Sequence, residues 1–287
     1  MDWREEYRDL GFVVFEKLLP HDLIDAHVAK VTTLLHDHGA NDALALSRLD
    51  MTADDALMVD MLALHQRSEI ARRLIFDRTA RVLLHQLFGE HPRLAMARSA
   101  LWEQGNMRAH IDTAFRSPEP PYSLCRTWCA LEDIHPESGR FYLVPGTHRS
   151  LIPALCDEVL EERPELFALF KQIEHQPESW FCLRNRAWPR VSAKVAERIE
   201  DKAKISFDLN KGDVVFFNPA VVHGTLACVD PSVSRKMMVC EWTTEKDIRL
   251  PQSMQSEAFH DRRPTLPVPR HNLVDIRAFL SARATSR

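Results

Sequence analysis

The chain has 287 residues, 45% hydrophobic and 27% charged, a globular balance with length enough for a sizeable core. Lys and Arg total 37 against 41 Asp and Glu, a net charge of −4, so there is no general basic field for nucleic acid or an anionic membrane surface. The opening residues carry no apolar signal core, no run is long enough to span a bilayer, and the six cysteines form no Cys-x-x-Cys pair. These features predict a soluble, cytoplasmic protein whose cysteines act mainly as small buried hydrophobes.

In chain order, Gly11 and the apolar run Phe12 to Phe15 read as a turn and a short strand. Asp22 can cap a helix from about Leu23 to His38, with Leu23, Ile24, Val28, Val31, Leu34 and Leu35 on one face and Gly39 at its end. Residues 41–53 have no period and read as a loop. A second helical region runs from about Asp54 to Phe88 and stops at Gly89 and Pro92. His27, His36, His38, His65 and His85 fall on these helices without any partner pattern and read as ordinary surface or core histidines.

From Leu94 the period becomes strand-like. Strand candidates are Arg93 to Gly105, Ser123 to Asp133, Arg140 to Val144, Lys204 to Leu209, Val214 to Phe217 and Ser234 to Trp242. Residues 151–204 break this rhythm with a helical, charged insertion, and its Arg184, Arg186 and Arg190 read as a solvated face or a lid. Residues 251–270 are proline-rich, and a short helix is expected around Val274 to Leu280.

The segment Asn106 to Phe115 carries His110 and Asp112 at i and i+2, which a strand places on one face. An imidazole and a carboxylate side by side can hold two adjacent positions of a metal. His223, at the end of a strongly apolar β segment, is the candidate third ligand. Two histidines and one carboxylate on one face leave three positions open, the arrangement suited to ferrous iron with a bidentate cosubstrate and dioxygen. Zinc would not activate O₂. Downstream, Arg235 offers a fork matched to the distal carboxylate of a dicarboxylate such as 2-oxoglutarate, and Thr225 a hydroxyl to the same group.

These motifs resemble the phytanoyl-CoA dioxygenase family of Fe(II)/2-oxoglutarate oxygenases. The resemblance is carried by His-Ile-Asp at 110–112, Trp-Cys-Ala-Leu-Glu-Asp at 128–133, Ser138 to Arg149 with its Pro-Gly-Thr-His-Arg box, Lys211 to Thr225, and Arg235-Lys236. It implies a single domain over 1–287, mainly β with flanking helices: a double-stranded β-helix, or jelly-roll (cupin-like) barrel. Within it, 1–92 would be mainly helical, 93–250 the barrel core with the insertion at 151–204, and 251–287 a tail. Carried over by position, His110, Asp112 and His223 bind Fe(II), Arg235 and Thr225 bind 2-oxoglutarate, and Trp128 lines the cosubstrate pocket. O₂ is the oxidant and ascorbate a stimulant.

The implied reaction is hydroxylation of a C–H bond in a small, anionic metabolite, with desaturation, ring formation and a non-catalytic ligand-binding barrel as alternatives. A halogenase of the family would need a small residue in place of Asp112. The resemblance marks His148 as part of a structural turn, and His135 reads as exposed. Ile111 and Phe115 are the apolar candidates for substrate contact. Arg126 shares a strand face with Trp128 and needs an anionic partner, either a substrate carboxylate or phosphate or an internal acid such as Glu241. The chain is expected to act as a monomer or homodimer on a small molecule, without nucleic acid or membrane.

Overall fold

The structure is a computed structural model that describes residues 2–37, 64–101, 107–114, 120, 122–172 and 176–244; for 177, 178, 180, 181, 184 and 185 it describes the backbone alone. The predicted loop at 41–53, the first part of the second helical region and the tail from 251 lie outside the described residues, as does Phe115.

Among the described residues eight strands form two antiparallel sheets. They are β1 (Phe12–Phe15), β2 (Pro92–Ala100), β3 (Leu124–Ala130), β4 (Phe141–Leu143), β5 (Ile205–Ser206), β6 (Val214–Phe217), β7 (His223–Thr225) and β8 (Met237–Thr244). The larger sheet runs β1-β6-β3-β8-β2 and the smaller β5-β4-β7. Among the described residues no strand is hydrogen-bonded into both sheets, so two sheets are seen and no closed barrel. The expected β content with flanking helices is observed.

The period-2 alternation of β3 and β8 explains the layering. Trp128, Met237 and Val239, with Val215 and Phe217 of β6, pack against Phe141, Leu143 and Ile205 of the small sheet in one buried cluster. The opposite face of the large sheet, with Cys125, Cys129, Cys240 and Trp242, packs on N-terminal helical residues such as Tyr7, Ile24, Leu83 and Leu87. These belong to α1 (Trp3–Leu10), α2 (His21–Asp37) and the last of three short helices, α3 (Leu64–Arg67), α4 (Glu69–Ile75) and α5 (Arg78–Phe88). Asp77 caps α5, accepting from Thr79 N at 2.8 Å, and Gly89 closes it with φ 72°.

Helices cover the far side as well, in the insertion that the sequence reads as helical. After the short α6 (Thr147–Ser150), the insertion forms α7 (Ile152–Glu162), α8 (Pro164–Gln172) and α9 (Pro177–Arg198). Their buried face, including Leu155, Val159, Leu183, Ala187 and Val191, packs with Tyr142 and with Ile111 of the His-x-Asp segment. Arg186 and Arg190 are exposed, so their charge lies on a solvated face.

Four of the six cysteines are buried. Burial pushes the thiols of Cys125 and Cys240 up to about 12, which keeps them protonated and inert. No helix among the described residues is long and apolar enough to cross a membrane.

Two buried histidines make stability depend on pH. His27 shares a 2.8 Å hydrogen bond with Ser99 Oγ, and His148 shares one of 3.0 Å with the Arg8 carbonyl. Burial lowers both to about 4. Above pH ~6.5 both are neutral whether folded or unfolded, so neither changes stability. Below it the unfolded chain takes up protons that the fold refuses, so stability falls from pH ~6.5 towards 4, by about 3 kcal/mol per histidine at full effect. Urea unfolding at pH 7 and pH 5 should show this loss, and His27→Gln should flatten it. An unchanged pH slope in that variant would contradict the assignment.

Candidate metal centre

The ligand candidates are brought together by backbone pairing. His110 and His223 face each other in an antiparallel bridge and exchange both hydrogen bonds, His110 N to His223 O at 2.9 Å and His223 N to His110 O at 3.0 Å. The His-x-Asp segment is therefore held as a single bridge, shorter than the strand its sequence suggested. Asp112 N and Thr113 N both donate to the Pro219 carbonyl, so the chain bends with Asp112 still aimed at the histidines. Alternation sends Ile111 the other way. It is wholly buried among the insertion helices and has no surface for a substrate, which corrects the sequence expectation.

Each histidine is fixed in one tautomer. Nδ1 of His110 donates to the Arg108 carbonyl at 2.9 Å, and Nδ1 of His223 to the Val221 carbonyl at 2.8 Å. A carbonyl oxygen only accepts, so the protons sit on Nδ1 and each Nε2 presents a lone pair. Those two nitrogens and a carboxylate oxygen of Asp112 all lie within 4.8 Å of one another. His223 Nε2 is 3.1 Å from Asp112 Oδ2, and His110 Nε2 is 3.8 Å from Oδ1. Donors sharing a metal at about 2.1 Å and right angles stand about 3 Å apart, close to the first of these separations. Asp112 Oδ2 is buried and accepts no hydrogen bond. Lone pairs aimed at one another in a buried site are held together best by a cation, so the donor set fits a metal ion.

The electrostatics keep the ligands in their binding forms. Burial alone would raise the Asp112 carboxyl, but the Arg126 guanidinium and the two histidines outweigh it and hold the group well below the usual carboxylate range. Burial lowers the His110 imidazole, and His223 lowers it further, favouring the neutral ring a metal needs.

Trp128 lies on the buried inner face and stacks on Phe141, with ring centroids 5.6 Å apart and planes within 4°. Phe141 and Phe217 in turn pack on the His223 ring at 5.7 and 5.0 Å. Arg235 is 1% exposed, and its NH1 donates to the Gly139 carbonyl just before β4 at 2.5 Å. Thr225 pairs with Phe141 and His223 with Leu143, so β4 holds Thr225 and His223 two residues apart on one strand. Arg126 answers its open question with internal acids. Nε and NH2 donate to Glu241 Oε2 at 2.9 and 2.6 Å, and NH1 lies 2.9 Å from Asp112 Oδ1. His148 and His135 are not near the ligand set: His148 braces Arg8, and exposed His135 caps a short turn.

Three supporting residues escaped the sequence reading. Glu132 accepts from Ser234 Oγ at 2.7 Å and Lys236 N at 2.8 Å, gripping the chain on both sides of Arg235. Its place in Trp-Cys-Ala-Leu-Glu-Asp was the available signal. Thr147 of the Pro-Gly-Thr-His-Arg box accepts from Val222 N at 2.9 Å, beside the ligand His223. Trp188 of α9 donates from Nε1 to the carbonyl of Ile111 at 2.5 Å, tying the insertion to the residue between two ligands. No local pattern marks that contact. Gly224 is required by crowding, since a Cβ there would meet Tyr142 Oη at 2.7 Å and the Met107 carbonyl at 2.9 Å.

A family model described as phytanoyl-CoA dioxygenase (PhyH) matches residues 7–237. The chain belongs to the phytanoyl-CoA dioxygenase family. A probable phytanoyl-CoA dioxygenase of Caenorhabditis elegans is 23% identical over 116 residues, 40% of this chain and 30% of that protein. The match thus spans less than a third of that relative's length. Among solved structures, the epimerase SnoN from nogalamycin biosynthesis, in complex with Fe³⁺, α-ketoglutarate and nogalamycin RO, superposes with a TM-score of 0.56. It is 18% identical, with 94% of this chain and 95% of that one covered. HygX from Streptomyces hygroscopicus, with nickel and 2-oxoglutarate bound, gives a TM-score of 0.52 at 15% identity over 86% and 88% of the two chains. At these identities the likeness is one of fold, and members of one fold differ in chemistry.

Trp188→Phe keeps an aromatic ring and deletes the Nε1–H that donates to the Ile111 carbonyl. It should weaken metal retention several-fold while costing only about 1 kcal/mol of stability. Dialysis against a graded chelator, beside urea unfolding, checks this. Unchanged metal retention would show the contact to be packing alone.

Proposed function

We propose that this member of the phytanoyl-CoA dioxygenase family is an Fe(II)- and 2-oxoglutarate-dependent dioxygenase that hydroxylates an unactivated C–H bond of a small metabolite. The observation that carries the reading is the grouping of His110, Asp112 and His223, whose ligand atoms lie within 4.8 Å of one another while each histidine's Nδ1 is engaged by a carbonyl. The reaction balances as substrate C–H, 2-oxoglutarate and O₂ giving alcohol, succinate and CO₂, with one oxygen atom in the alcohol and the other in succinate. Ferrous iron, when bound, supplies the redox chemistry with O₂.

His110, Asp112 and His223 would hold that ion, through the two Nε2 atoms and a carboxylate oxygen. Buried Arg235 clamps the distal carboxylate of 2-oxoglutarate as a fork. Thr225 Oγ1 accepts from Met107 N at 2.8 Å, which leaves its own proton to donate to the same carboxylate. Trp128, Phe141 and Phe217 form an apolar wall that keeps water from the reacting atoms. Asp112 fills the position that a halogenase of the family would open for chloride. The facing sheets read as the two halves of a double-stranded β-helix, and the free cysteines suit the cytoplasm.

The case for an anionic substrate rested on Arg126 and the arginines of the insertion. With Arg126 engaged by Glu241 and Asp112, and Arg186 and Arg190 exposed, that preference loses its support. The substrate is proposed only as a small molecule.

A panel of small metabolites assayed in air for succinate release and product mass tests the proposal. The expected result is Fe(II)- and 2-oxoglutarate-dependent succinate release, stimulated by the true substrate, with a product heavier by one oxygen atom and abolished by His223→Ala. A product lighter by two hydrogens, or of unchanged mass with an inverted centre, would overturn hydroxylation and keep the oxygenase class. No succinate under any condition would overturn the class.

A further inference from the structure

Arg126 sits on the inner face of the central strand β3, directly opposite Glu241 on β8. The strand register therefore presets this pair before any ligand arrives. Arg126, Glu241 and Asp112 are all largely buried, with side chains 15%, 11% and 10% exposed. Each guanidinium nitrogen lies within 2.9 Å of a carboxylate oxygen: Nε and NH2 on Glu241 Oε2, NH1 on Asp112 Oδ1. An arginine so engaged is poorly placed to clamp a substrate. It is well placed to dictate how Asp112 is presented.

We propose that Arg126, oriented by Glu241, is a positioning residue that occupies Oδ1 of Asp112 and leaves Oδ2 as the single oxygen offered to the metal. The inference rests on reading His110, Asp112 and His223 as the metal centre.

The physical case has three parts. A carboxylate can bind a metal through one oxygen or two, and a chelating Asp112 would take a position that cosubstrate or O₂ needs. Tying Oδ1 to a guanidinium at 2.9 Å removes the two-oxygen option, even though Oδ1 is 3.8 Å from His110 Nε2, and leaves Oδ2, already 3.1 Å from His223 Nε2, as the oxygen without a hydrogen-bond partner. Next, Arg126 is a rigid fork with one edge on Glu241, so the remaining NH1 points in a fixed direction, which a flexible lysine could not reproduce. Finally, the arginine offsets one of two buried negative charges, so the carboxylates are held close before the ion arrives. Outer partners of this kind commonly change metal affinity about 10- to 100-fold when removed.

The test is calorimetric titration of the full chain with Ni(II), a probe that two histidines still bind when the carboxylate is gone. Arg126→Gln should weaken Ni(II) binding about 10- to 100-fold, Glu241→Gln should weaken it less, and Arg126→Lys should fall between wild type and Arg126→Gln. In an Asp112→Ala background, Arg126→Gln should have no further effect, because its influence acts through Asp112. A merely structural arginine would weaken binding equally in both backgrounds, and that result overturns the proposal. So does wild-type affinity in Arg126→Gln or Arg126→Lys, including affinity retained with turnover lost, which would mark a substrate contact. If Arg126→Gln does not fold, Arg126→Lys alone and in the Asp112→Ala background decides by the same criteria. Failure of the wild-type chain to bind Ni(II) would be a separate result, overturning the metal-centre reading itself.

Discussion

The two-way hydrogen-bonded bridge between His110 and His223 is the constraint on which the site depends. It joins segments far apart in sequence and places two imidazoles with ring centroids 4.3 Å apart. Everything around it preserves that register. Thr147 holds the strand at Val222, Pro219 bends the other segment at Asp112, and Trp188 anchors the carbonyl of Ile111. A slip of one residue would turn Ile111 inward and both ligands outward, because side chains alternate across a strand.

Around this pairing the protein buries charge, which is costly unless each ion finds a partner. On one flank Arg126 joins Asp112 to Glu241, and on the other Glu132 secures the chain about Arg235. The two arginines thereby acquire different characters. Arg126 is engaged by fixed carboxylates, whereas buried Arg235 donates to the backbone carbonyl of Gly139. Phe141 and Phe217 pack on the His223 ring, and Trp128 stacks on Phe141, which lowers the polarity around His223 and strengthens charge interactions nearby.

Much of this was legible in the sequence because it is locally encoded. Alternation placed His110 with Asp112 and Arg126 with Trp128, and the apolar run before His223 marked a buried strand. The layered fold was legible in outline, since strand periods, the helical insertion and Gly89 are each local signals. What local patterns do not carry is which distant group meets which. Ile111 was read by its neighbourhood to the ligands, yet the same alternation that gathers those ligands drives it into the helical core. The partner of Arg126 was open because a carboxylate on β8 and one on a substrate satisfy a guanidinium equally well. Trp188 lies in an insertion whose docking no period announces.

The central claim is that His110, Asp112 and His223 hold a ferrous ion with adjacent positions left for 2-oxoglutarate. Anaerobic titration of the protein with Fe(II) and then 2-oxoglutarate, followed by visible absorption, tests it most directly. A charge-transfer band that appears only with both, and is lost in His223→Ala, is the predicted result. No band at saturating Fe(II) and 2-oxoglutarate would contradict the account.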